Sequence, residues 1–83
     1  MSYRVFWSPE AEDQLERILL RAPEFAAMAR QIDANLIKNP KSFGESRYDL
    51  VRIGFVHPLG IQFEVMDDVR TVVVYGVWRI DHR

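Results

Sequence analysis

Arg70-Thr71-Val72-Val73-Val74-Tyr75-Gly76-Val77 is the stretch on which the fold turns. Valine and tyrosine favour the pleated strand, and because side chains alternate across a strand, this run sets apolar groups on both of its faces. Such a strand belongs inside a sheet, since an edge of that composition would invite aggregation. Upstream, Asp67-Asp68 supplies a tight turn, and Ile61, Phe63 and Val65 alternate with Gln62, Glu64 and Met66 in the period of a half-buried strand. Before these, His57-Pro58-Leu59-Gly60 carries turn chemistry, and Arg47 to Val56 reads as one more strand. The second half of the chain is therefore an antiparallel meander. The tail from Trp78 to Arg83 is too brief for a helix of its own.

The first half reads differently. Tyr3, Val5 and Trp7 alternate with Arg4, Phe6 and Ser8, which gives a short strand whose apolar face makes the valine run its natural neighbour. Ser8 is a good N-cap, Pro9 suits the first helical position, and Glu10, Glu12 and Asp13 place negative charge at the positive end of the helix dipole. Ala11, Leu15, Ile18 and Leu19 form one apolar stripe on that helix. Pro23 then turns the chain into a second helix, with Phe25, Ala29, Ile32 and Leu36 as its buried stripe and Lys38-Asn39-Pro40 as its end. A polar connection, Lys41 to Ser46 with Gly44 inside it, leads to the strands. The expected fold is α+β: a helical hairpin packed on one face of a small, mostly antiparallel four-stranded sheet in the order β-α-α-β-β-β, forming a single domain over residues 1–83.

Composition bounds the function. At 83 residues, 48% hydrophobic and 28% charged, the chain has the make-up of one small globular domain and not of a disordered segment. Eleven Lys and Arg stand against twelve Asp and Glu, for a net charge of -1, so the total charge advertises no polyanion partner. There is no cysteine, which removes disulfides and thiolate chemistry, and His57 and His82 are far apart in sequence, so no metal or other cofactor is expected. No apolar run approaches the ~20 residues that span a bilayer, and the chain reads as a cytoplasmic protein without a membrane partner.

Catalytic motifs with recognisable spacing are missing: there is no Gly-rich phosphate loop, no Gly-x-Ser-x-Gly elbow and no His-Glu-x-x-His helix. The proton carriers near neutrality are His57, in the turn before Pro58, and His82. Trp78, Arg79, His82 and Arg83 gather an aromatic ring, two guanidiniums and an imidazole, a set that suits an RNA phosphate, where arginine meets the developing charge, histidine moves a proton and the ring stacks on a base. The same residues also fit a solvated basic terminus whose Trp78 completes the core. Arg47 and Arg52 add anion contacts, with Glu45 and Asp49 close enough in sequence to pair with them.

Taken in order, Tyr3-Arg4-Val5-Phe6-Trp7-Ser8-Pro9-Glu10-Ala11, Asn39-Pro40 with Gly44, Arg47, Phe63-Glu64-Val65 through Asp67-Asp68 to Arg70-Thr71-Val72-Val73-Val74, and Val77-Trp78-Arg79 together resemble the RelE/ParE superfamily of small toxins from bacterial type II toxin-antitoxin modules. The resemblance covers nearly the whole chain and implies two helices against a mostly antiparallel sheet and a cognate antitoxin as partner. It implies one of two activities. Some members are ribosome-dependent endoribonucleases that cleave mRNA; here Arg47, Arg52, Arg79, Arg83 and Trp78 would hold the RNA and His82 with Arg79 would serve catalysis. Others inhibit DNA gyrase without nuclease chemistry. In ribonuclease members the strand matching Pro58-Leu59-Gly60-Ile61-Gln62-Phe63 carries an arginine where this chain has Gly60 and a tyrosine where it has Phe63. That departure and the near-neutral charge tilt the expectation toward a non-nucleolytic toxin, either gyrase-inhibiting or a degenerate member that keeps the fold and the antitoxin contact, with RNA cleavage as the alternative.

Overall fold

Residues 2–80 are described by a computed structural model. Strand β1 (Arg4–Trp7) stops at Ser8, which is extended and whose Oγ accepts a hydrogen bond from the Ala11 N–H at 3.1 Å. Helix α1 (Pro9–Arg21) starts there as expected, with Pro9 at its first turn beside Glu10 and Glu12. Pro23 does not begin the second helix directly. It opens a single 3₁₀ turn, Pro23–Phe25, after which α2 runs over Ala26–Lys38. The segment expected to be a polar connection contains a third, one-turn helix, α3 (Pro40–Phe43). Its Phe43 ring stacks on Phe63 at 6.0 Å between centroids and lies over Gly54, where a Cβ would come within 2.5 Å of Phe43 Cε2. Packing of one aromatic ring thus gives structure to a polar-looking stretch.

The sheet is mostly antiparallel, as expected, with one parallel pair, but it corrects the expectation in having five strands, not four. The stretch expected as one strand from Arg47 to Val56 is two, β2 (Glu45–Tyr48) and β3 (Val51–Val56). Asp49 divides them by taking a left-handed conformation, φ 51°, which a short polar side chain tolerates, and the chain reverses so that Tyr48 pairs with Val51. His57-Pro58, joined by a cis peptide, is the whole of the next turn, because Val56 already pairs with Leu59; Leu59 and Gly60 belong to β4 (Leu59–Met66). After a 3₁₀ turn at Asp67–Val69 comes β5 (Thr71–Arg79), which takes in Trp78 and Arg79 from the expected tail. Strand order is β1-β5-β4-β3-β2, with β1 parallel to β5 and the other pairs antiparallel. The valine run is an interior strand, as its composition requires, and the structure sets β1 at its side.

Both long helices cover one face of the sheet, α1 over β5 and α2 over β1 and β3. The core between the layers holds Leu59, Ile61, Phe63 and Val65 of β4 with Val72, Val74 and Val77 of β5, against Ala11, Ile32 and Leu36 of the helices. Simple alternation from Val72 and Val74 would turn Val77 outward. A bulge at Gln62/Phe63, with Gln62 opposite Gly76 and Phe63 opposite Val74, leaves Tyr75 as the extra residue and returns Val77 to the core. At the bulge the Val77 N–H donates to Oε1 of Gln14 on α1 at 2.9 Å, so a helix side chain receives a backbone donor of the irregular strand.

A clasp of side chains joins the start of β1, α3 and the turn before β5. Tyr3 Oη donates to Asp67 Oδ1 and Lys41 Nζ to Asp67 Oδ2, both at 2.6 Å, while the Arg70 guanidinium carbon lies 4.6 Å from the Tyr3 ring centroid. The hydrogen bond from Lys41, then that from Tyr3, hold the Asp67 carboxyl below its usual value of 3.8. Asp67 in turn raises the Tyr3 phenol above 10.0 and the Lys41 ammonium above 10.5. A carboxyl depressed by folding stabilises the native state above its unfolded pKa and loses that contribution as pH falls through its folded value. The raised phenol and ammonium contribute below their unfolded values and lose it as pH rises through the folded ones.

Two outcomes follow for stability. Ser8→Ala is expected to lower unfolding free energy by about 1 kcal/mol in urea titration. Asp67→Asn is expected to flatten the urea midpoint against pH, removing part of the decline below about pH 4 and part of that above about pH 10, with the largest gap from wild type near neutrality.

Candidate functional site

Strand alternation divides the candidate residues between the two faces of the sheet. Opposite the helices, the face that no other described element covers carries Gly60 of β4 paired with Trp78 of β5, next to Phe55 of β3. The Trp78 indole lies across Gly60: a Cβ there would stand 2.8 Å from Trp78 Cε2, closer than carbon atoms approach. Phe55 meets Trp78 edge to face at 6.5 Å and 87°, a favourable arrangement of ring quadrupoles. Phe6, Phe55 and Tyr75 are each about half exposed on this face (53%, 50% and 44%). The Tyr75 hydroxyl donates to Glu64 Oε1 at 2.9 Å, and that bond to a carboxylate raises the phenol above its usual 10.0. The open face is thus a shelf of aromatic and aliphatic groups.

The arginines lie elsewhere. Arg52 pairs in register with the buried Phe63, and its Nη2 donates to the carbonyl oxygens of Lys41 at 2.7 Å and Gly44 at 2.9 Å. It ties the end of α3 and the start of β2 to β3, a common use of a guanidinium at a helix C-terminus. Arg79 pairs with Leu59 on the core side, and its guanidinium carbon stands 4.9 Å from the ring centroid of Phe25 in the turn between α1 and α2. Arg47 is exposed on the edge strand β2, beside the register shift between Ser46 and Tyr48, and His57 is exposed in its turn. His82 and Arg83 lie outside the described residues. Trp78 and Arg79, adjacent in sequence, therefore point to opposite sides of the sheet, and Arg52 stands with Arg79, not with Trp78.

What sequence reasoning missed is the aromatic shelf. Phe55 and Tyr75 were strand formers without assigned roles, and their meeting with Trp78 and Glu64 depends on register. Gly60 was visible as a departure, but its cause, the ring lying over it, was not. Among the described residues no three His, Asp or Glu side chains gather where a metal ion could be held. Among the described residues no helix is long and apolar enough to cross a membrane.

No family model and no curated protein matches this chain. Among solved structures, it superposes on a chain of the RelBE2 toxin-antitoxin complex from Mycobacterium tuberculosis with a TM-score of 0.72, over 95% of this chain and 99% of that one, at 21% sequence identity. The chain has a RelE-like fold. On this RelE-like scaffold, the strand position opposite Trp78 is closed to any residue larger than glycine unless the indole moves.

Gly60→Arg is therefore expected to destabilise the protein by about 1–3 kcal/mol, the range for overfilling a packed site. Adding Trp78→Ala should recover part of that loss, so that the double variant is more stable than the sum of the single effects; urea denaturation of the four proteins of the cycle measures the coupling.

Proposed function

We propose that this chain is the toxin of a toxin-antitoxin pair, that a cognate antitoxin protein binds it, and that it acts by docking on a protein target, of the kind DNA gyrase represents, and not by cutting RNA. Support for the first part comes from the sequence motifs and the RelE-like fold together. The observation that carries the second is the Trp78 ring over Gly60. Phosphoryl transfer needs cationic or hydrogen-bonding groups aimed at the phosphate as charge develops, and losing one such contact typically costs a factor of about 10² to 10³ in rate. Here the strand position that bears arginine in ribonuclease members is filled by an indole, and Arg52 already serves two backbone carbonyls. A net charge of -1 also gives weak general attraction for a nucleic acid backbone. An apolar, aromatic face suits a protein partner.

The ribonuclease reading keeps one specific point in its favour, the sequence cluster Trp78, Arg79, His82 and Arg83. In that reading His82 moves the proton, Arg79 meets the phosphate charge and the 2′-hydroxyl of the RNA attacks the adjacent phosphorus.

Induced expression in a bacterial host, with mRNA integrity and plasmid supercoiling followed in one culture, separates the two. The expected outcome is intact message with altered supercoiling. Cleaved message that His82→Ala and Arg79→Ala both protect would replace this reading with the nuclease. Co-expression with the protein of the neighbouring reading frame is expected to give one complex on a sizing column, and separate elution would remove the antitoxin.

A further inference from the structure

Strands β3, β4 and β5 carry three charged residues between them, Arg52, Glu64 and Arg79. The two arginines stand on the helix side, which leaves Glu64 as the one charge that these strands present on the open face. Its row across the sheet is otherwise apolar: Phe6 pairs with Val73, Val73 with Glu64, and Glu64 with Val51. No cation meets it. Among the described residues the ion pairs are Asp13–Arg17 and Lys41–Asp67, and Arg4 of the edge strand lies in the next outward row, opposite Thr71. The hydrogen-bond partner of the carboxylate is the Tyr75 hydroxyl, which donates to Oε1 at 2.9 Å. A neutral donor satisfies one oxygen and leaves the charge uncompensated.

In the free protein water solvates Glu64, which is only half-buried. A protein laid over the aromatic shelf takes that water away, and an unpaired carboxylate beneath it opposes binding. The occupant therefore has to bring a positive group to this point. The surroundings select its type. Tyr75 offers a ring 44% exposed beside the carboxylate, and a planar guanidinium pairs with a carboxylate while its face lies on an aromatic ring, which a compact, strongly hydrated ammonium does less well. A second anchor point lies along the same strand. The row of Phe55, Gly60 and Trp78 is four residues from Glu64 on β4, about 13 Å at the rise of a strand.

We propose that the open face recognises an arginine of the protein it docks on. The guanidinium pairs with Glu64 against the Tyr75 ring, and an apolar side chain of the same partner rests on Phe55 and Trp78. An extended partner segment meets both points when its arginine and its apolar residue stand four positions apart. A phosphate backbone on this face would instead bring a like charge to Glu64. The inference rests on the reading of the open face as a protein-docking surface and adds the chemistry that the docked protein shows to it.

The two tryptophans give the test, because in a ¹H–¹⁵N spectrum the indole N–H of Trp78 reports on the open face and that of Trp7, bonded to Asp33 of α2, on the helix side. The probe is a five-residue peptide with blocked ends, arginine first and leucine fifth, compared with the same peptide carrying citrulline, which keeps the planar shape without the charge. The arginine peptide is expected to shift Trp78, spare Trp7 and weaken with added salt. Citrulline should lower the affinity about fivefold, as for one exposed charge pair with a cation on a ring. Glu64→Gln keeps an oxygen acceptor for Tyr75, so the urea midpoint should hold while the arginine peptide loses about fivefold in affinity and the difference between the two peptides disappears. Equal affinity of the two peptides, a difference that persists in Glu64→Gln, a shift at Trp7 in place of Trp78, or no binding would each overturn the inference. Equal affinity with a shift at Trp78 overturns the arginine alone and leaves protein docking in place, whereas a single-stranded RNA that shifts Trp78 at lower concentration than either peptide overturns both.

Discussion

Strand β5 is hydrogen-bonded along both edges, parallel to β1 and antiparallel to β4, and every other element is placed by that double pairing. A parallel neighbour requires the chain to cross over, which is why the two long helices lie between β1 and the rest of the sheet in sequence and come to cover one face of it. The bulge in the β4–β5 ladder then adjusts the strand to the helices. It keeps Val72, Val74 and Val77 all in the core, and Gln14 of α1 receives the Val77 N–H at that point. Without the extra residue, the last third of β5 would present its other side to the helices, and Trp78 could not lie over Gly60.

That register also sorts the chemistry. Arg52 and Arg79 face the helix layer, where one closes carbonyls near the end of α3 and the other lies over Phe25, while Trp78, Phe55 and Tyr75 face away. Trp78 and Arg79, which sequence proximity groups into one RNA-binding set, thereby lie on opposite faces of the sheet. Among the described residues, the aromatic groups Phe55, Trp78 and Tyr75 thus stand on the face away from the helices, apart from Arg52 and Arg79.

Much of the fold was legible in the sequence, for local reasons. Ser8-Pro9 with its acidic followers caps α1, the stripe of Ile32 and Leu36 buries α2, and three successive valines demand an interior strand. These features act within a few residues of themselves, so composition and spacing suffice to read them. What was missed came from contacts between distant residues. The helical turn at Pro40–Phe43 exists because Phe43 stacks on Phe63, and β2 separates from β3 because Asp49 accepts a left-handed backbone that lets Tyr48 return beside Val51.

The candidate site divides in the same way. By itself the sequence determined an α+β domain, a near-neutral charge and a glycine at position 60. Only the tertiary structure decided which side of the sheet each of those residues meets. In a strand the period is two, so one bulge or one reversed turn moves a side chain from the core to the open face, and no property of Trp78 or Arg79 alone records which of them a helix will cover.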